Sequence, residues 1–193
     1  MAIKAIIFDC FGVLVATAET KLFDAFPDYR EQLHELDIRD NLGAFSESQF
    51  VEEVSKITGA KVEDLIKNHY CNVNIRARNE MAIEYAKDLK DSGKYKIALL
   101  SNVGHDWLNK FLADMDKRGL FDEVLLSCDV AIMKPDPRIF SLMAQKLGLS
   151  PKECIMIDDK AENIVGAKQA GMNGIVFTST PQIKRELAKI LEA

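Results

Sequence analysis

The sequence predicts an α/β fold: a Rossmann-like parallel sheet core with helices on both faces, plus an inserted α-helical cap. Two observations carry this. Short apolar runs rich in β-branched residues alternate with amphipathic helical patterns, which implies right-handed βαβ units and a parallel sheet. The alternation breaks once, after the first run. There, roughly 60 residues read as helices joined by polar connectors, too long a stretch for a structureless loop. The expected division is residues 1–15 and 81–193 for the α/β core and 16–80 for the cap.

The first strand lies in the stretch AIIFDCFGVLV, residues 5–15, with Ile3 ahead of it. Its residues do not alternate polar and apolar, as expected of a strand buried on both faces. Asp9 stands where that strand should end, and Gly12 offers a tight exit. Four more strands are expected at 95–101, 123–127, 154–158 and 174–178. Helices are expected before them at 79–93, 106–119, 136–148 and 161–171. Asp136 can cap a helix whose first residue is Pro137, and Gly148 and Gly171 suit the left-handed residue beyond a helix end. Thr180-Pro181 opens the last helix in the same manner. Ser150 with Glu153, and Ser46 with Gln49, have capping-box spacing. In the cap, the helical stretches are ETKLFDAF, DYREQLHEL, ESQFVEEVSKITG and VEDLIKNHY. Phe23, Phe26, Phe45, Phe50 and Tyr70 are expected mostly to pack its small core, and Trp107 is a further aromatic that could line a pocket.

Composition bounds the function. The chain has 193 residues and a formal charge of −5, with no basic block longer than a few residues. This disfavours nucleic acid and anionic membranes as partners. No apolar run approaches the ~20 residues that span a bilayer, and the N-terminal stretch reads as a strand rather than a signal peptide, so a cytoplasmic protein is expected. Cys10, Cys71, Cys128 and Cys154 are scattered without a CxxC pair, which predicts buried free thiols rather than a zinc site or disulfides.

Polar residues gather at the predicted strand ends: Asp9 after the first, Ser101 and Asn102 after the second, Lys134 in the loop after the third, Asp158 and Asp159 after the fourth. In open α/β sheets that edge is where ligands bind. Taken singly, each residue could be a turn, a helix cap or a solvated side chain. Together their chemistry is complementary. Three carboxylates in one place call for a cation, and crowded oxygen ligands suit Mg²⁺. A hydroxyl, an amide and an ammonium can bind a phosphoryl group, and a carboxylate can attack phosphorus.

These residues resemble the motifs of the haloacid dehalogenase-like hydrolases: IIFDCFGVL with Asp9, IALLSN with Ser101 and Asn102, KPDPRIF with Lys134, and IMIDDKAENIVGAKQAGM with Asp158, Asp159 and Asn163. The resemblance covers nearly the whole chain and implies roles. Asp9 would be the nucleophile, forming an aspartyl-phosphate that water hydrolyses. Asp9, the backbone carbonyl of Phe11 and Asp159 would bind Mg²⁺, with Asp158 holding metal-bound water or orienting its partner and Asn163 in support. Ser101, Asn102 and Lys134 would clamp the phosphate. The inserted helices are similar to the family's small cap. The implied function is an Mg²⁺-dependent phosphatase acting on a small phosphorylated metabolite.

One position departs from the pattern. The family's phosphatases carry a second Asp two residues after the first, as general acid and base. Here that residue is Phe11, which can do neither. Water or another residue would have to replace it, with His105 and His69 as the candidate residues. The departure keeps two alternatives open, a 2-haloacid dehalogenase or a non-catalytic phosphate-binding relative. Asp158 and Asp159 weigh against the first, since dehalogenases of the family have uncharged residues there. An intact Asp9 weighs against the second.

Overall fold

The computed structural model describes residues 2–15, 20–67, 78–105 and 119–191. His69, Tyr70, Cys71, Trp107 and all but the last residue of the helix expected over 106–119 lie outside the described residues. Five strands form one wholly parallel sheet: β1 (Ala5–Phe8), β2 (Lys96–Ser101), β3 (Glu123–Leu126), β4 (Cys154–Asp158) and β5 (Asn173–Val176), in the order β3-β2-β1-β4-β5. The central strand β1 pairs with β2 on one side and β4 on the other, Phe8 standing opposite Leu99 and Ile157.

The run of apolar residues in β1 serves two faces at once. Ile6 and Phe8 pack with Ile97, Leu99, Ile155 and Ile157 against helices α5 (Glu80–Asp91) and α9 (Thr180–Leu191). Ala5 and Ile7 pack on the opposite face with Ala98, Leu100 and Met156, under α7 (Pro137–Lys146) and α8 (Ala161–Gln169). A buried Ile, Leu or Phe contributes about 1.5–3 kcal/mol relative to exposure, so two filled faces fix the register of every strand and with it the position of each strand end.

The helix signals fall where their chemistry requires. Asp136 accepts a hydrogen bond from the Arg138 N–H and Pro137 opens α7. Both capping boxes form, at Ser46–Gln49 and at Ser150–Glu153. The last helix differs slightly: Thr180 is already helical, and the Ser179 hydroxyl accepts from the Gln182 N–H. The third strand ends one residue early, because Ser127 opens a single-turn helix, α6 (Ser127–Val130).

Between β1 and α5, the described residues form α1 (Thr20–Ala25), a 3₁₀ turn at Pro27–Tyr29, α2 (Arg30–Asn41), α3 (Glu47–Thr58) and α4 (Val62–Leu65). Leu33, Leu36, Phe50, Val51, Val54 and Leu65 form an apolar cluster of their own, with Phe23, Phe26 and Phe45 packed against it. Helix α2 runs five residues beyond the apolar pattern that announces it, and Asp40 on the extension is buried. The chain leaves the sheet and returns to it at one place. Val15 bridges Arg78, and Asn79 reaches back, its side chain donating to the Val13 carbonyl at 2.9 Å and its N–H to the Leu14 carbonyl at 2.9 Å.

Gly166 lets α8 touch the loop that carries Lys134. A Cβ there would lie 2.0 Å from the Pro135 carbonyl oxygen. Alanine is the better helix former by about 1 kcal/mol, but this contact is with backbone and cannot swing away. Gly166→Ala should therefore lower the urea midpoint by a net cost of about 1–3 kcal/mol with an unchanged m-value; an unchanged or raised midpoint would show that the loop yields freely.

Candidate active site

The sheet delivers its polar residues to one edge. Asp9 extends the β1 ladder by one residue, its N–H donating to the Ile157 carbonyl at 2.9 Å. The chain then turns sharply. Leu14 and Val15 N–H groups both donate to the Cys10 carbonyl, and Gly12 adopts φ +87° with its N–H on the Val15 carbonyl. Positive φ favours glycine. The position also needs glycine for space, because a Cβ would lie 2.2 Å from Asp159 Oδ2. The β1 turn and the β4 turn thus interlock, which brings Asp159 beside Asp9.

Lys134 is the centre of the site. Its ammonium is 2% exposed and touches three acceptors: Asp9 Oδ1 at 2.9 Å, Asp158 Oδ2 at 2.6 Å and the Leu100 carbonyl at 3.0 Å. These come from β1, β4 and β2. Asp158 is held from all sides: Asn163 Nδ2 donates to both its oxygens at 2.9 and 3.0 Å, and the Lys160 N–H donates to Oδ1 at 2.9 Å. Asn102 seats the lysine's backbone, accepting from the Lys134 N–H at 2.9 Å and donating to its carbonyl at 2.8 Å. The Cys10 N–H donates to Asp9 Oδ1 at 2.7 Å.

Burial sets the electrostatics. Desolvation pushes the Asp9 carboxyl up to about 7; Lys134 pulls it back, while Asp158 adds to the rise. Desolvation acts on Lys134 in the other direction, but Asp9 and Asp158 outweigh it and hold the ammonium above its ordinary value. Carboxylate oxygens of Asp9, Asp158 and Asp159 lie within 4.8 Å of one another. Lys134 pairs with two of these acids, Asp9 and Asp158. An all-oxygen donor set of this density fits a hard divalent cation. The Ser101 hydroxyl is buried at the end of β2 and has no hydrogen-bond partner among the described residues.

All seven residues expected at the site therefore reach this edge, and two of them also bond other members of the site. The Asn102 amide is occupied with the Lys134 backbone, so it positions the clamp. Both Asp158 oxygens are engaged by Lys134, Asn163 and Lys160, so this carboxylate orients the lysine. The Phe11 side chain packs on the apolar cluster of α5 and α9. His105 stands beside Cys128 and Asp129. Cys10 is fully buried, as expected of a structural thiol. Sequence reasoning missed Asp40 and Asn79, which sit at polar stretches with no motif around them.

Fold and site define a class, the α/β proteins that gather a polar site at the carboxyl edge of a parallel sheet. The chain belongs to the haloacid dehalogenase-like hydrolases: the family model matches residues 3–171. Among curated relatives, it is 27% identical over 187 residues to the putative phosphatase YhcW of Bacillus subtilis, covering 90% of this chain and 83% of that one. It is 29% identical over 180 residues to the pyrophosphatase PpaX of Bacillus cereus, covering 89% and 81%. Among solved structures, the HAD family enzyme bt-2542 of Bacteroides thetaiotaomicron superposes with a TM-score of 0.77 at 20% identity, over 92% of this chain and 95% of that one. The L-2-haloacid dehalogenase of Xanthobacter autotrophicus gives 0.65 at 22% identity, over 97% and 83%. The shared fold with both shows the architecture, and the hydrolase class follows from the family.

Removing one member of a buried ion cluster leaves the others uncompensated, at a cost of about 3–5 kcal/mol. Lys134→Met should lower the thermal midpoint accordingly. Ser101→Ala should leave it almost unchanged, since the hydroxyl makes no internal bond. Equal effects in a differential scanning experiment would contradict this division.

Proposed function

We propose that this chain is a Mg²⁺-dependent phosphatase of small phosphate monoesters, with Asp9 as nucleophile. The observation that carries the reading is the arrangement around Lys134: a buried carboxylate at a strand end, held by an ammonium, with two further carboxylates within reach. Asp9, the Phe11 carbonyl and Asp159 would hold the cation, with Asp158 in support. When bound, it offsets the negative charge of phosphate and carboxylates together. The helices between residues 16 and 80 would serve as a cap that excludes water and selects the substrate.

In the reaction, an Asp9 oxygen forms a bond to phosphorus as the bond from phosphorus to the ester oxygen breaks. The electron pair leaves with that oxygen, which takes a proton from water. A second water then attacks the phosphorus, releasing inorganic phosphate and restoring the Asp9 carboxylate. Lys134 neutralises charge on Asp9 and on the transferring group, and the Ser101 hydroxyl is available to a phosphate oxygen. The PpaX and YhcW relatives, named as phosphatases, support this reading, as does a neighbouring bt-2542 structure titled as a complex with magnesium and inorganic phosphate. A dehalogenase would need no cation and gains nothing from the three-carboxylate cluster.

The reading is tested by phosphate release from a panel of small esters and pyrophosphate, with Mg²⁺ or EDTA. Release should require Mg²⁺ and vanish in Asp9→Asn; release that survives in Asp9→Asn would overturn it. The apolar Phe11 adds a second expectation. With no acid at this position, esters of acidic alcohols such as 4-nitrophenyl phosphate should turn over faster than alkyl phosphates. Phe11→Asp should raise kcat on alkyl phosphates, within the roughly 10²–10⁴-fold that general acid–base catalysis supplies. A flat leaving-group dependence in the parent enzyme would point to another proton donor.

A further inference from the structure

A second cluster of metal-ligating side chains lies at the same sheet edge, on the β2–β3 side. An imidazole nitrogen of His105, the Cys128 sulfur and an Asp129 carboxylate oxygen all lie within 4.8 Å of one another. None of them belongs to the Asp9 site. Cys128 and Asp129 stand on α6, directly after β3, and His105 follows β2 by four residues. Ser127 stitches the two loops together: the Val103 N–H donates to its hydroxyl at 2.9 Å, and that hydroxyl faces the Val103 carbonyl at 3.4 Å. Ser127 is fully buried, so the spacing of the three ligands is fixed from behind.

The helical insertion closes over this cluster. A Cβ on Gly43, in the turn after α2, would lie 2.4 Å from the Cys128 carbonyl oxygen and 3.1 Å from His105 Nε2. Gly43 has φ +83°. A Cβ on Gly104 would lie 2.1 Å from Asp40 Oδ2, so a buried carboxylate of α2 flanks the group as well. Gly43 thus keeps side-chain bulk away from the His105 imidazole. The cluster combines nitrogen, sulfur and oxygen donors, unlike the all-oxygen Asp9 site. Such a mixture selects borderline-soft cations over Mg²⁺.

We propose that His105, Cys128 and Asp129 form a binding site for a borderline-soft divalent cation, zinc foremost, at the junction of the helical insertion with the α/β core. Asp129 is exposed, so the site opens to solvent on that side. Burial, with Asp129 and Asp40 adding to it, pushes the Cys128 thiol up to about 12. A thiol that binds such a cation gives up its proton to water. The bound ion ties β2, β3 and, through Gly43 and Asp40, helix α2 into one unit.

The test is a titration of the full metal-stripped chain with Co²⁺ in excess Mg²⁺, read by the near-ultraviolet thiolate-to-cobalt charge-transfer band. Oxygen ligands at the Asp9 site give no such band. The band should saturate at one equivalent, disappear in Cys128→Ser, and be displaced by Zn²⁺. Even outer partners of a ligand are worth about 10–100-fold in affinity, so Asp129→Asn should weaken Co²⁺ binding at least about tenfold. Zn²⁺ should raise the thermal midpoint of the parent chain but not that of Cys128→Ser. No band, or a band that survives Cys128→Ser, would overturn the proposal and leave a hydrogen-bonded polar cluster. Should Cys128→Ser lose its native circular dichroism, the exposed position Asp129 decides: unchanged cobalt affinity in Asp129→Asn would equally overturn it.

Discussion

One ammonium holds three strands' worth of polar chemistry together. Lys134 inserts its side chain between the ends of β1, β2 and β4 and meets Asp9, the Leu100 carbonyl and Asp158. Buried charge is tolerated only when paired and hydrogen-bonded. The surrounding residues read as a response to that demand. Asn102 seats the lysine's backbone, Asn163 and the Lys160 N–H saturate Asp158, and Gly166 lets α8 approach the adjoining Pro135. Each is a positioning residue whose partner is another protein group.

The geometry also separates two tasks that a ligand list merges. Asp158 and Asn102 spend their hydrogen-bonding capacity inward. Ser101 is buried without a hydrogen-bond partner among the described residues, and Asp159 sits in the space left by Gly12. The outward group of Asp9, Ser101 and Asp159 is thus backed by an inward group of Asn102, Asp158 and Asn163. Precision at the first is set by the rigidity of the second.

Much of this was legible in the sequence, for physical reasons that differ between elements. The strands of the sheet are continuous apolar runs because both faces are covered, and a lone acid at the end of such a run is conspicuous. Asp136-Pro137, Ser46 with Gln49, and Ser150 with Glu153 announce helix starts because local hydrogen bonds decide them. What stayed hidden depends on tertiary contact. The polar tail of α2 reads as a connector, yet it remains helical because Asp40 is buried against Gly104. Ser127 reads as the end of a strand, but its hydroxyl binds the Val103 backbone and the chain turns into α6. The Asn102 amide also bonds the backbone of a lysine 32 residues away, which its own motif does not announce. Distant partners leave no periodic or local signature.

The pairing of Val15 with Arg78, reinforced by Asn79, has an architectural meaning. Because the outgoing and returning chain lie side by side, the sheet experiences the long helical excursion as little more than a hairpin. Closing a loop costs free energy that grows only logarithmically with its length. Helices can accordingly be lengthened, shortened or exchanged beyond this neck without disturbing the strand register or Asp9. A stem of this kind makes the sheet a socket, to which the helical insertion is joined at a single point in the chain.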